Sequence, residues 1–230
     1  MKKGFVFDLD GVITDTAKYH FIAWRDLAKE INIDVDLKFN EQLKGISRMD
    51  SLERILAHGG RSDDFTPEEK AALAEKKNTQ YVELLQSLTP ADLLPGVHDF
   101  LDGAKANQVP CAIASASKNA PFILEKLGVA DRFAAIVDPA SLHKGKPDPE
   151  IFVKAAELLG FQPEECVGFE DAQAGLDGIK ACGMYAVGVL SGEPLHGADI
   201  TVHQLTELNI PITGCTNSIP IIMAMMISTP

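Results

Sequence analysis

Two acidic pairs in this chain each close an apolar run, and that placement suggests chemistry more than the residue types alone. Asp8-Leu9-Asp10 ends the run GFVFDL, from Gly4 to Leu9. In an extended ending, residues two apart point to the same region while Leu9 packs away. Two carboxylates there can divide labour: Asp8 attacks phosphorus, and Asp10 holds or transfers a proton. Their repulsion calls for a magnesium ion or hydrogen bonds to offset it. Glu170-Asp171 is the second pair, after the run from Glu165 to Phe169. Asp171 is a candidate magnesium ligand, with Glu170 a second or water-mediated one. The plainer alternatives are turn residues for the first pair and helix caps for the second. Capping and metal binding do not exclude each other.

Two polar loops could supply what carboxylates lack. Ser115-Ala116-Ser117-Lys118-Asn119 follows the apolar run Val109 to Ala114. Its hydroxyls and turn N–H groups can hold phosphate oxygens, Lys118 adds charge, and Asn119 can donate a directed hydrogen bond. Lys146, ahead of Pro147-Asp148-Pro149, could neutralise a transferring phosphate, and the prolines limit backbone motion. His143 and Lys144 add positive charge to that stretch without an assigned role. Lys44 and Arg48 could bring charge over a substrate, arginine through its planar two-pronged grip. His20 could tune Asp10. Solvated loops, surface cations and a structural histidine are the competing readings of these groups.

The elements that must position these residues fall into two kinds. Thr16 to about Ile31 has an apolar helical face of Phe21, Trp24, Leu27, Ala28 and Ile31. A second helix is capped by Ser47, with Leu52, Ile55, Leu56 and Met49 toward a core and Gly59 as its stop. A third starts at Thr66-Pro67 with Glu69 in the capping-box position, and runs to about Leu88. No strand interrupts 16–92. Beyond it, short strands at Val109–Ala114, Ala134–Val137, Glu165–Phe169 and Met184–Leu190 alternate with helices, which implies a mostly parallel sheet covered on both faces. The expected fold is therefore α/β: a core from 1–15 and 93–230, with a helical cap inserted at 16–92. The apolar stretch Ile219 to Ile227 is expected to pack rather than to anchor.

Composition narrows the partners. A formal net charge of −12 over 230 residues disfavours nucleic acid and anionic membranes, while leaving small anionic substrates open. Cys111, Cys166, Cys182 and Cys215 are too scattered for a close metal site and read as reduced thiols. No stretch reaches the roughly 20 apolar residues of a membrane span, and the start lacks a secretory pattern. A cytoplasmic monomer acting on a small molecule is expected. No G-x-G-x-x-G follows the first strand, which argues against a dinucleotide oxidoreductase.

Taken together, FDLDGVITDT (Phe7–Thr16), ASASKN (Ala114–Asn119), GKPDP (Gly145–Pro149) and GFEDAQAG (Gly168–Gly175) resemble the haloacid dehalogenase-like superfamily. FDLDGVITDTAKYHFIAW and NEQLKGISRMDSLERIL are similar to the nucleophile loop and cap substrate loop of its β-phosphoglucomutase family. The resemblance implies a Rossmannoid three-layer core, a helical cap, essential Mg²⁺, and interconversion of β-glucose 1-phosphate and glucose 6-phosphate. Glucose 1,6-bisphosphate would be the intermediate and priming donor.

By the same resemblance Asp8 becomes the phosphoaspartate and a metal ligand. Asp10 is acid and base, with its carbonyl toward magnesium, and Glu170 and Asp171 complete the metal set. Ser115, the Ala116 N–H and Lys146 would take the transferring phosphoryl group; Arg48, Ser117, Lys118 and Asn119 would take the other phosphate. Thr16, His20 and Lys44 resemble residues that couple cap closure to Asp10, while Trp24, Leu43 and Gly45 fall on the sugar-facing side. The alternatives are a magnesium-dependent sugar-phosphate phosphatase and a non-catalytic sugar-phosphate binding protein.

Overall fold

A computed structural model describes residues 2–43, 46–190, 192 and 194–208. It divides into two compact units, one from Met1–Asp15 with Thr89–Pro230 and one from Thr16–Leu88. Lys44, Gly45 and the apolar stretch 219–227 lie outside the described residues.

The first unit is built on a sheet of six strands: β1 (Gly4–Phe7), β2 (Cys111–Ile113), β3 (Ala135–Ile136), β4 (Cys166–Glu170), β5 (Tyr185–Val189) and β6 (Ile200–Val202). Their spatial order is β3-β2-β1-β4-β5-β6, and every pairing is parallel. β1 lies in the interior with Phe5 beside Cys111 and Val167, so both of its faces must be apolar. They are. Val6 faces a cluster that includes Ile151, Phe152, Leu176 and Ile179. On the other face Phe5 and Phe7 meet Phe100 and Phe169, with the Phe7 and Phe169 rings stacked at 4.5 Å. Each such ring contributes roughly 1.5–3 kcal/mol by leaving water, and a charge at Val6 would break this packing.

The covering helices are α5 (Val97–Ala106), α6 (Ala120–Lys126), α7 (Glu150–Leu158) and α8 (Gln173–Ala181). Chain order runs away from β1 through β2 and β3, then returns to its other side at β4. In open α/β sheets the crevice for a ligand lies where the strand order reverses, outside the carboxyl ends. Here that is the end of β1 and of β4, where Asp8 and Glu170 stand.

The second unit contains α1 (Ala17–Glu30), α2 (Leu37–Asn40), α3 (Arg48–His58) and α4 (Pro67–Leu85). No strand occurs among its described residues. Ser47 accepts the Asp50 N–H, and Thr66 and Glu69 form the reciprocal capping box with Pro67 inside the first turn. Trp24, Leu27, Ile33, Leu52, Ile55 and Leu56 share one apolar core. Met49 differs from expectation: it lies in the first turn of α3 and is exposed, while Leu52, Ile55 and Leu56 supply the buried stripe.

Candidate active site

The centre of the first unit's site is a buried cation held between two buried acids. Lys146 Nζ donates to Asp8 Oδ1 at 2.6 Å and to Glu170 Oε2 at 2.7 Å. The side chains of Lys146 and Glu170 are 1% and 0% exposed, so neither charge is shared with water. Burial alone would lower the lysine, but Asp8 and Glu170 outweigh it and hold the ammonium above its ordinary range. The Glu170 carboxyl is pushed upward, first by burial and then by Asp8, more than Lys146 draws it down. The N–H of Asp8 is bound to the Phe169 carbonyl at 2.9 Å, which ties the nucleophile candidate to β4.

Asp8, Glu170 and Asp171 each offer an oxygen, all within 4.8 Å of one another. Three carboxylates against one ammonium leave a formal charge of −2. Hard oxygen donors with unbalanced negative charge fit a divalent cation such as Mg²⁺. Two glycines make room for the cluster. A Cβ on Gly11, whose φ is +77°, would overlap the Asp171 carboxylate, and a Cβ on Gly175 would overlap that of Glu170. Glu170 Oε1 also accepts the Ala172 N–H at 3.2 Å, so this acid joins the acidic cluster and holds the start of α8.

Around that cluster, Asp10 is bridged to Thr14 in the turn after β1, where the Gly11 N–H meets the Thr14 carbonyl at 2.8 Å. Ser115 is buried just past β2, the strand beside β1. Its Oγ accepts the Ser117 N–H, and Ser117 Oγ accepts the Asn119 N–H, each at 3.2 Å. Ala116 lies within this folded loop, and Lys118 stands exposed on it.

The second unit gathers its own polar set. His20 Nδ1 lies 2.6 Å from Lys77 Nζ, and its ring stacks on Tyr81 at 3.9 Å. Thr16 Oγ1 is 2.9 Å from the Tyr81 hydroxyl. Lys77 Nζ also sits over the rings of Trp24 and Tyr81, at 4.8 and 4.5 Å. Burial, then Lys77 and Arg48, depress His20 well below its ordinary range. A neutral ring that accepts from the ammonium at Nδ1 follows. Arg48 donates to Asn78 at 2.8 Å and to Glu75 at 3.2 Å. Trp24 and Leu43 are buried in the core of this unit.

Sequence reasoning passed over Lys77. It had a signal: Leu73, Lys77 and Tyr81 repeat every four residues, which puts a lysine on a buried helical stripe. Its side chain is covered by two aromatic rings and a histidine, so the stripe is not interrupted.

Comparison with known proteins agrees with this architecture. Residues 2–183 match the model for haloacid dehalogenase-like hydrolases. A β-phosphoglucomutase of Bacillus subtilis is 50% identical over 210 residues, covering 91% of this chain and 93% of its own. A crystal structure of β-phosphoglucomutase from Clostridium difficile superposes with a TM-score of 0.89 at 47% identity, over 91% of this chain and 94% of that one. A fructose-1-phosphate phosphatase of Escherichia coli is 31% identical over 188 residues, covering 81% of this chain and 95% of its own.

Proposed function

Since this chain belongs to the haloacid dehalogenase-like hydrolases, we propose that it is a β-phosphoglucomutase, interconverting β-D-glucose 1-phosphate and D-glucose 6-phosphate. The observation that carries this reading is the buried Asp8–Lys146–Glu170 cluster at the strand ends, in a chain half identical to a relative of that name.

The reaction divides into two transfers. An oxygen of Asp8 bonds to phosphorus of glucose 1,6-bisphosphate as the bond from phosphorus to the sugar oxygen breaks. Asp10 gives its proton to that leaving oxygen. The monophosphate then reorients, Asp10 takes the proton of the other hydroxyl, and phosphorus returns from Asp8 to the sugar. Two such steps replace one difficult transfer. Lys146 balances the charge that grows on the transferring oxygens and orients the Asp8 carboxylate through Oδ1. On the family resemblance, Ser115 and the Ala116 N–H would hold the same phosphoryl group, while Arg48, Ser117, Lys118 and Asn119 would bind the phosphate that stays. On the same resemblance, Thr16, His20 and Lys44 would act in placing Asp10, and Trp24, Leu43 and Gly45 would belong to the sugar side. Asp8, Glu170, Asp171 and the Asp10 carbonyl would hold Mg²⁺, which when bound supplies positive charge to the phosphoryl oxygens.

A sugar-phosphate phosphatase is the second reading, favoured by the likeness to the fructose-1-phosphate phosphatase. Incubation with Mg²⁺, β-glucose 1-phosphate and a trace of glucose 1,6-bisphosphate separates them by proton and phosphorus NMR. Glucose 6-phosphate should accumulate. Inorganic phosphate in its place would reject the mutase reading.

A further inference from the structure

We propose that Glu150 is a positioning residue for Lys146, clamping the backbone that carries the lysine into the site. This rests on the mutase reading for its kinetic consequence, though not for its geometry. Glu150 is the first residue of α7, and one oxygen of its carboxylate, Oε2, accepts two successive backbone N–H groups. They belong to His143, at 2.9 Å, and Lys144, at 2.8 Å. Oε1 lies 3.2 Å from His143 Nδ1. The rest of the loop closes around this grip. Asp148 Oδ1 accepts the Glu150 N–H at 3.1 Å, the Asp148 N–H reaches the Gly145 carbonyl at 3.0 Å, and Lys144 pairs with Asp148 at 3.1 Å.

Lys146 is the one buried residue in this exposed stretch from His143 to Pro147. The side chains of His143 and Lys144 stand 87% and 71% exposed. Their N–H groups, rather than their charges, are what the loop uses. The same helix sets the lysine from below: the Phe152 ring lies 5.0 Å from Nζ, and Lys154 donates to the Ser141 carbonyl at 2.6 Å. Helix α7 keeps its place through Ile151, Phe152, Ala155 and Ala156, all buried. Removing the Glu150 carboxylate therefore frees the loop while leaving the packed face of the helix whole.

A displacement of about 1 Å of a group that must meet the reacting atoms can cost on the order of 10²-fold in rate. Glu150→Ala should lower kcat by roughly 10–100-fold. Its KM for β-glucose 1-phosphate should stay within about twofold, the pattern for an interaction felt in the transition state. The thermal midpoint should stay near wild type. Glu150→Gln, whose amide oxygen still accepts N–H groups, should recover most of the rate.

A readout independent of turnover is acetylation of individual lysines by acetic anhydride, read by mass spectrometry. Lys146 should become reactive in Glu150→Ala while Lys180, already exposed, is unchanged. Glu150→Asp, one methylene shorter, gives an intermediate loss and decides the matter if the alanine variant does not fold. Wild-type kcat with a protected Lys146 in these shortened variants would overturn the inference. So would a glutamine variant as slow as alanine. A wild-type enzyme that makes no glucose 6-phosphate would instead sink the mutase reading, and the labelling of Lys146 would still judge the clamp.

Discussion

Replacing Lys146 by Met tests whether the ammonium is a structural counter-charge in addition to its proposed part in catalysis. Methionine keeps an unbranched side chain of similar reach but removes both contacts, 2.6 Å to Asp8 and 2.7 Å to Glu170. The local formal charge falls from −2 to −3, with Glu170 and Asp8 almost without solvent. Removing one partner from a buried pair typically costs about 3–5 kcal/mol. Relief is at hand, because burial and Asp8 already push the Glu170 carboxyl upward, so it is the group that can take up a proton. The lower figure, about 3 kcal/mol, is therefore expected at neutral pH. At roughly 2–4 °C per kcal/mol for a chain of this size, the midpoint should fall by about 6–12 °C in EDTA. Adding Mg²⁺ should narrow the gap, since the more negative site gains more from a bound cation. Activity should stay down by roughly 10²–10³-fold even with Mg²⁺, because the donor proposed to balance the phosphoryl oxygens is gone. Scanning calorimetry with and without Mg²⁺ checks the first part. A variant that melts with the wild type in EDTA, or whose deficit ignores Mg²⁺, would refute the electrostatic account.

Two further outcomes follow from the same geometry. His20 is held neutral in the fold with its pKa well below 6.5, so the unfolded chain binds a proton first as pH falls. Stability is unaffected above about 6.5 and declines from there down to the depressed folded value, losing about 1.4 kcal/mol by one pH unit below. Urea titrations at pH 7.5 and 5.5 should show this loss in the wild type but not in His20→Gln, and equal pH responses would contradict it. Gly175→Ala should gain helix propensity yet push the Glu170 carboxylate aside. Mg²⁺ affinity by calorimetric titration should weaken roughly 10–100-fold, and unchanged affinity would show that Glu170 takes no part in holding the ion.

The α/β order was legible because its signals are local. Buried strands at β1, β2, β4 and β5 read as continuous apolar runs, and Ser47, Thr66, Pro67 and Gly59 mark helix ends by their own backbone chemistry. β6 was passed over: three residues paired on one side only, with half-exposed or exposed Ile200 and Thr201, leave no apolar run to find. The short helix Leu37–Asn40 hides for the same reason, since Leu37 is exposed. In the site, the acids stood out because they close strands. The ion pair from Lys146 to Glu170 could not be read, because nothing in the spacing of those residues says which loops meet. Glu150 drew no reading, since an acid in a first helical turn needs no further reason, and its grip on two backbone N–H groups exists only once the loop has closed.

The central position of β1 has a consequence during synthesis. Its hydrogen-bonded neighbours, β2 and β4, leave the ribosome long after it does, and the lysine that neutralises its aspartate arrives between them. A chain that stops short of Cys166 holds Asp8 but lacks β4 and the Glu170 side of the cluster. Asp8 and its counter-charge therefore meet only once the sheet has closed on both sides of β1.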